Sequence, residues 1–166
     1  MIIKNKTVVD DDWRVLRLGE NETPETVAVP SGKFIVPLKV WQAQREALQE
    51  RAELGVWFES CERAEDLQNE VAKFAVIAVD FPKFGDGRGY SIAYHLRARF
   101  GYRGELRAIG DVLRDQMFYM QRAGFDAFAP RADKDIHEAL KGLSDFSVTY
   151  QASADEAQPL FRRVSR

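Results

Sequence analysis

The chain has 166 residues, 45% apolar and 30% charged, with a net charge of −2 and a single cysteine. That length suits one domain with its own core, and one cysteine excludes an internal disulfide and, unaided, a zinc site or iron–sulfur cluster. No apolar run approaches the roughly 20 residues of a membrane-spanning helix, and the opening MIIKNKTVVDDDW turns acidic too early for a signal peptide, so a cytoplasmic protein is expected.

Residues 1–33 carry short β-prone pieces, Ile2-Ile3, Thr7-Val8-Val9 and Trp13–Leu18, separated by polar breaks and closed by the turn signal Pro30-Ser31-Gly32. They read as a small antiparallel β appendage or edge. From Lys33 a βα rhythm begins. FIVPL (34–38) predicts a strand, and VWQAQREALQERAEL a helix, with Gly55 as its C-terminal cap. VWFES (56–60) predicts the next strand, and RAEDLQNEVAKF a helix with Leu67, Val71 and Phe74 on one side. AVIAVDF (75–81) is apolar on both faces, as a buried parallel strand is.

YSIAYHLRARFGY then predicts a helix with Ile92, Ala93, Leu96 and Phe100 inward and Arg97, Arg99 and Arg103 outward. LRAIG (106–110) and DAFAP (126–130) predict strands around the helix VLRDQMFYMQRAG. The helix DKDIHEALKGL and a last strand, FSVTYQ (146–151), complete the series. The alternation argues for one α/β domain over residues 1–151 with a mainly parallel sheet. That sheet is either a partial TIM-barrel-like curl or an open doubly wound one. A partial barrel leaves an edge for the N-terminal strands or a homodimer partner to cover. Residues 152–166 read as a flexible C-terminal tail.

Parallel α/β sheets bind ligands where the carboxyl ends of their strands meet helix N-termini. Along that edge lie Glu59, Ser60, Asp80, Asp111 and Arg131. Asp80 and Asp111 are the candidate catalytic residues, a pair that can hold Mg²⁺ or act as acid and base, although Asp111 also suits the N-cap of the following helix and Asp80 a structural ion pair with Lys83 or Arg88. The loop DFPKFGDGRGYS offers Lys83, Asp86, Gly87, Arg88 and Gly89, with Arg131, as a binding set for a small anion.

The same loop departs from the dinucleotide fingerprint. Tyr90 stands where its third glycine belongs, and Pro82-Lys83-Phe84 separates strand from glycines. Its glycines are expected to supply positive φ angles. Residues 88–131 hold eight arginines against four acids, either coating helix faces or meeting an anion. No nucleic-acid-binding motif accompanies them, so no nucleic-acid partner is expected. His95 and His137 read as surface or packing residues, and no metal site is predicted. Cys61 reads as inert or as a thiol activated by the following helix.

VAVPSGKFIVPLKVWQAQREAL, LGVWFES, the long run from VIAVDFPKFGDGRGYS through GYRGELRAIGDVLRDQ to GFDAFAPRAD, and DFSVTYQ together resemble a bacterial family of uncharacterised function over about residues 27–151. That family carries the label of an oxidoreductase involved in sulfite reduction. The resemblance implies a role in assimilatory sulfur metabolism and a sulfite/nitrite reductase haemoprotein as partner. It assigns no catalytic residues and leaves the cofactor unknown. Three readings follow: an accessory protein of the reductase, an enzyme acting on a small anion at the strand ends, or a flavin- or NAD(P)-dependent oxidoreductase.

Overall fold

Most of the β-forming runs lie side by side in chain order, the first two being added beyond the last. The structure is a computed structural model and describes residues 1–67 and 69–164. Its strands are β1 (Ile2–Lys4), β2 (Thr7–Val9), β3 (Arg14–Val15), β4 (Phe34–Pro37), β5 (Leu54–Phe58), β6 (Val76–Phe81), β7 (Glu105–Gly110) and β8 (Ala127–Phe128). The helices are α1 (Leu38–Ala43), α2 (Arg45–Leu48), α3 (Arg88–Ala98), α4 (Arg114–Ala123), α5 (Ile136–Lys141) and α6 (Leu160–Arg163).

From β3 to β8 each strand pairs parallel with its successor. A doubly wound sheet needs a reversal of strand order, and this run has none. Right-handed crossovers between successive neighbours all return on the same face, so the helices and the main core gather there. On that face lie Val36, Val56, Phe58, Ile77, Val79, Phe81, Leu106, Ala108 and Phe128, with Ile92, Ala93 and Leu96 of α3. The alternate residues, Ile35, Trp57, Val76, Ala78 and Ile109, form a smaller cluster on the other face, joined by Trp13 and Val15.

The N-terminal strands do not form one appendage. β1 and β2 make an antiparallel hairpin on β8, whereas β3 pairs parallel with β4 at the opposite edge. In a flat sheet β2 and β3 would lie about 34 Å apart, at about 4.8 Å per strand. The chain from Val9 to Arg14 reaches at most about 18 Å. The sheet therefore curls into a half-barrel, and residues 10–13 form a strap across its concave face. There Arg107, almost completely buried, is held by both oxygens of Asp11 at 3.0 Å and by Glu105 at 2.7 Å. Lys4 closes the other oxygen of Glu105 at 2.7 Å.

Several expected elements take other forms. The helix predicted over 40–54 breaks at Gln44, whose side-chain amide donates to the carbonyls of Pro24 and Val27. Gly55 is not its cap but lies inside β5. Within 63–74 the described residues form two short 3₁₀ turns, Ala64–Leu67 and Val71–Lys73, and Leu67, Val71 and Phe74 are still buried. Asp66 accepts from the Arg63 N–H at 3.1 Å, a local bond that competes with continuous helix. Arg97 does not point outward. It donates to the carbonyls of Tyr102, Gly104 and Gly124 and pairs with Asp126 at 2.8 Å. Residues 146–151 are not a strand, since the free edge of β8 is already taken by β1. In the segment expected as a loose tail, Ser153 donates to the Arg122 carbonyl at 2.6 Å and Asp155 pairs with Arg122 at 2.6 Å.

A Cβ added at Gly55 would stand 2.8 Å from the Val76 carbonyl oxygen and 3.2 Å from an Ile35 side-chain carbon. Gly55→Ala is therefore expected to destabilise the fold by about 1–3 kcal/mol through overpacking between neighbouring strands. Urea unfolding measures it, and an unchanged midpoint contradicts the tight strand contact.

Candidate functional site

Because β3 to β8 are parallel, the residues just past or at their carboxyl ends share one rim of the half-barrel. Each strand contributes one charge there: Arg17, Lys39, Glu59, Asp80, Asp111 and Arg131 in strand order. They are joined as three ion pairs, Lys39–Glu59 at 2.5 Å, Arg17–Asp80 at 2.6 Å and Asp111–Arg131 at 3.0 Å. Arg17 reaches Asp80 by lying over the Trp57 ring, 5.0 Å from its centroid, while the Trp57 indole N–H donates to the Leu16 carbonyl.

Arg17, Asp80, Pro82, Gly110, Asp111 and Arg131 surround an open cleft of about 500 Å³. Gly110 builds its floor. Its φ of +90° turns the chain back so that the Asp111 N–H donates to the Phe81 carbonyl at 2.7 Å. A Cβ there would lie 2.5 Å from that carbonyl oxygen and 2.7 Å from Asp80 Oδ1. The glycine thus lets the ends of β6 and β7 bring their two aspartates to the same cleft. Asp80 is 8% exposed and Arg17 is its partner, in place of the expected Lys83 or Arg88. Asp111 is not the N-cap of α4. Leu113 occupies that position, its N–H donating to the Gln116 side chain at 3.0 Å.

Arg131 donates through Nε and Nη2 to the two oxygens of Asp133, at 2.7 and 2.8 Å, and through Nη1 to Asp111. These carboxylates hold its guanidinium more firmly protonated than usual, and Arg131 holds Asp133 well below the ordinary carboxylate range.

The loop after β6 belongs to a different place. Arg88 grips Asp86 through Nε at 2.9 Å and Nη2 at 2.7 Å, and Ser60 bridges the two side chains. Asp86 also accepts from the Arg88 backbone N–H, so the first turn of α3 already holds a carboxylate where a bound anion would sit. The Arg88 side chain beside it, then the Ser60 hydroxyl, keeps Asp86 far below the usual carboxylate range. Lys83 is exposed and has no ion pair among the described residues. The positive φ angles expected of Gly85, Gly87 and Gly89 are absent. Gly89 is needed because a Cβ would meet the Phe81 ring at 2.7 Å, whereas one at Gly87 meets nothing.

A second hollow of about 420 Å³ opens beside this loop, with Ser60, Cys61, Glu62, Arg88, Ser91 and His95 among its walls. Cys61 is exposed, and His95 Nδ1 stands 3.9 Å from Glu65. His137 is exposed on α5. Among the described residues no group of three or more His, Cys, Asp or Glu could hold a metal ion, and no helix is long and apolar enough to cross a membrane.

The sequence reading therefore identified Asp80, Asp111 and Arg131 of the cleft, and missed Arg17. Its signal was present: Trp13, Val15 and Arg17 alternate, so a charge follows two inward apolar residues on the same face.

Fold and rim together define a singly wound α/β half-barrel with a charge-balanced cleft at the carboxyl ends of its parallel strands. The chain belongs to the family described as bacterial protein of unknown function (DUF934), whose model matches residues 55–161. No curated protein and no solved structure matches it.

Burial pushes Glu62 up to about 7, with a smaller contribution from the neighbouring Glu59 charge, although the Glu59 N–H donates to it at 2.6 Å. Its carboxyl holds its proton in the folded state over a window where the unfolded chain has released it. The folded state therefore loses stability as pH rises from about 4.5 to about 7. Glu62→Gln is expected to remove that loss, becoming more stable than the parent across this window by at most about 3 kcal/mol. Urea melts at pH 4.5, 6 and 7.5 read it, and parallel curves for the two proteins contradict the raised carboxyl.

Proposed function

We propose that the protein binds a small oxyanion in the rim cleft, with Arg17 as its main anchor and Arg131 as a second positive charge. The observation that carries this reading is the state of Arg17. Its only side-chain hydrogen bond among the described residues is the one from Nη2 to Asp80, its side chain is 52% exposed, and its guanidinium is steadied by Trp57 at the edge of the cleft. A guanidinium offers five N–H groups in a planar fork suited to paired oxygens. Stacking on an indole leaves the edge of that fork free.

The location supports the same reading. Carboxyl-end rims are where βα-barrel folds bind ligands, and the likeness to a partial TIM barrel is part of this proposal. The resemblance to the sulfite-reduction family supplies the setting: an accessory protein of assimilatory sulfite reduction, handling sulfite or a related oxyanion beside a sulfite/nitrite reductase haemoprotein. A second reading, favoured by the buried carboxylate of Asp80, is an enzyme in which Asp80 and Asp111 serve as base and acid toward the bound anion.

The loop residues Lys83, Asp86, Gly87, Arg88 and Gly89 have a smaller part in the proposed site than Arg17, because Arg88 is neutralised by Asp86. Calorimetric titration with sulfite, sulfate and phosphate separates the two locations. Arg17→Gln is expected to weaken binding roughly ten- to a hundredfold, the effect of losing charge-assisted hydrogen bonds worth about 1.5–3 kcal/mol. Arg88→Ala is expected to leave it within a factor of two. The reverse pattern places the anion at the loop instead, and binding unaffected by Arg17→Gln overturns the proposal.

A further inference from the structure

The hydrogen-bonding capacity of the cleft is lopsided in a way that a simple oxyanion does not satisfy. Arg131 is largely spent, with three of its nitrogens already donating to Asp133 and Asp111. Arg17 keeps most of its donors free. Facing it, Asp80 accepts one hydrogen bond at Oδ1, from Arg17, and Asp111 accepts one at Oδ1, from Arg131. Among the described residues the second oxygen of each receives none. An ionised carboxylate offers about four acceptor sites, so two aspartates brought together by Gly110 present a dense set of unfilled acceptors. Asp80 does so with little exposed surface of its own.

The charges give the same answer. The walls of the cleft carry two carboxylates and two guanidiniums, and the Asp133 and Lys134 charges beside it offset each other. A dianion entering there meets the two aspartates, and a simple cation meets the exposed fork of Arg17. A molecule carrying both signs meets neither obstacle.

We infer that the ligand of this cleft is a small zwitterion, with a carboxylate or sulfonate end on the free fork of Arg17 and a primary ammonium end on Asp80 and Asp111. The ammonium brings three donors and no acceptor to the carboxylates that lack donors. The Arg17–Asp80 contact can persist, because each partner uses only one atom in it. This inference rests on the proposed site at the rim and adds the chemical class of what it takes.

Calorimetric titration of the full chain with three groups of probes tests it. The zwitterions are glycine, β-alanine, 4-aminobutyrate and taurine, which vary the span between the charges. The anions are acetate, propionate and sulfate, and the cation is ethylammonium. At least one zwitterion is expected to bind at least tenfold more tightly than every anion and than ethylammonium. The Asp80→Asn/Asp111→Asn double variant is expected to bring that zwitterion down to the affinity of its carboxylate or sulfonate counterpart. An anion that binds as tightly as the best zwitterion overturns this inference and leaves the oxyanion site standing. Binding of ethylammonium alone, or of no probe at all, overturns both.

Discussion

The structure depends on a tether too short for a flat sheet. Residues 10–13 must join β2 at one edge to β3 at the other, and a chain of that reach leaves curling as the only solution. Curling creates a concave face that parallel strands cannot leave bare, and Trp13 of the strap and Val15 of β3 cover part of it. The same residues then continue along β3 and deliver Arg17 to the rim. One segment thus closes the sheet, fills its hollow side and supplies the most available charge of the candidate site.

The ionic interactions of the molecule are not equivalent. The exposed pairs, such as Lys39–Glu59, contribute little to stability, since solvent screens them. The cluster of Arg107 with Asp11, Glu105 and Lys4 differs because Arg107 lies inside the half-barrel. A buried guanidinium with partners removed would be left uncompensated. This cluster therefore fixes the register between strap and sheet. The rim pairs have the opposite character, with half-exposed arginines and carboxylates of spare capacity, which suits exchange with a ligand.

Much of this was legible in the sequence, for identifiable reasons. AVIAVDF and LRAIG announce buried parallel strands because both faces are apolar, and Asp80 and Asp111 stand out because an acid ends each run. Arg131 followed from the same edge argument. In the loop 83–89 the charges read as available, whereas Asp86 and Arg88 lie close enough along the chain to pair with each other. FSVTYQ has strand composition, but propensity cannot reveal that no free edge remains beside β8. The alternation of Trp13, Val15 and Arg17 was readable, but its place at the rim depends on topology. Nothing local in the first 33 residues says that they divide between the two edges of the sheet.

The most direct test is a double-mutant cycle between the strap and the interior, using Asp11→Ala, Arg107→Met and the double variant, with stability read by urea unfolding. If the strap closes the half-barrel through this contact, the two substitutions couple by at least about 1.5 kcal/mol, in the upper part of the range for residues sharing an ionic network. Additivity within about 0.5 kcal/mol would mean that the strap and the sheet interior are energetically independent, and the account of the curl and of the rim built on it would not stand.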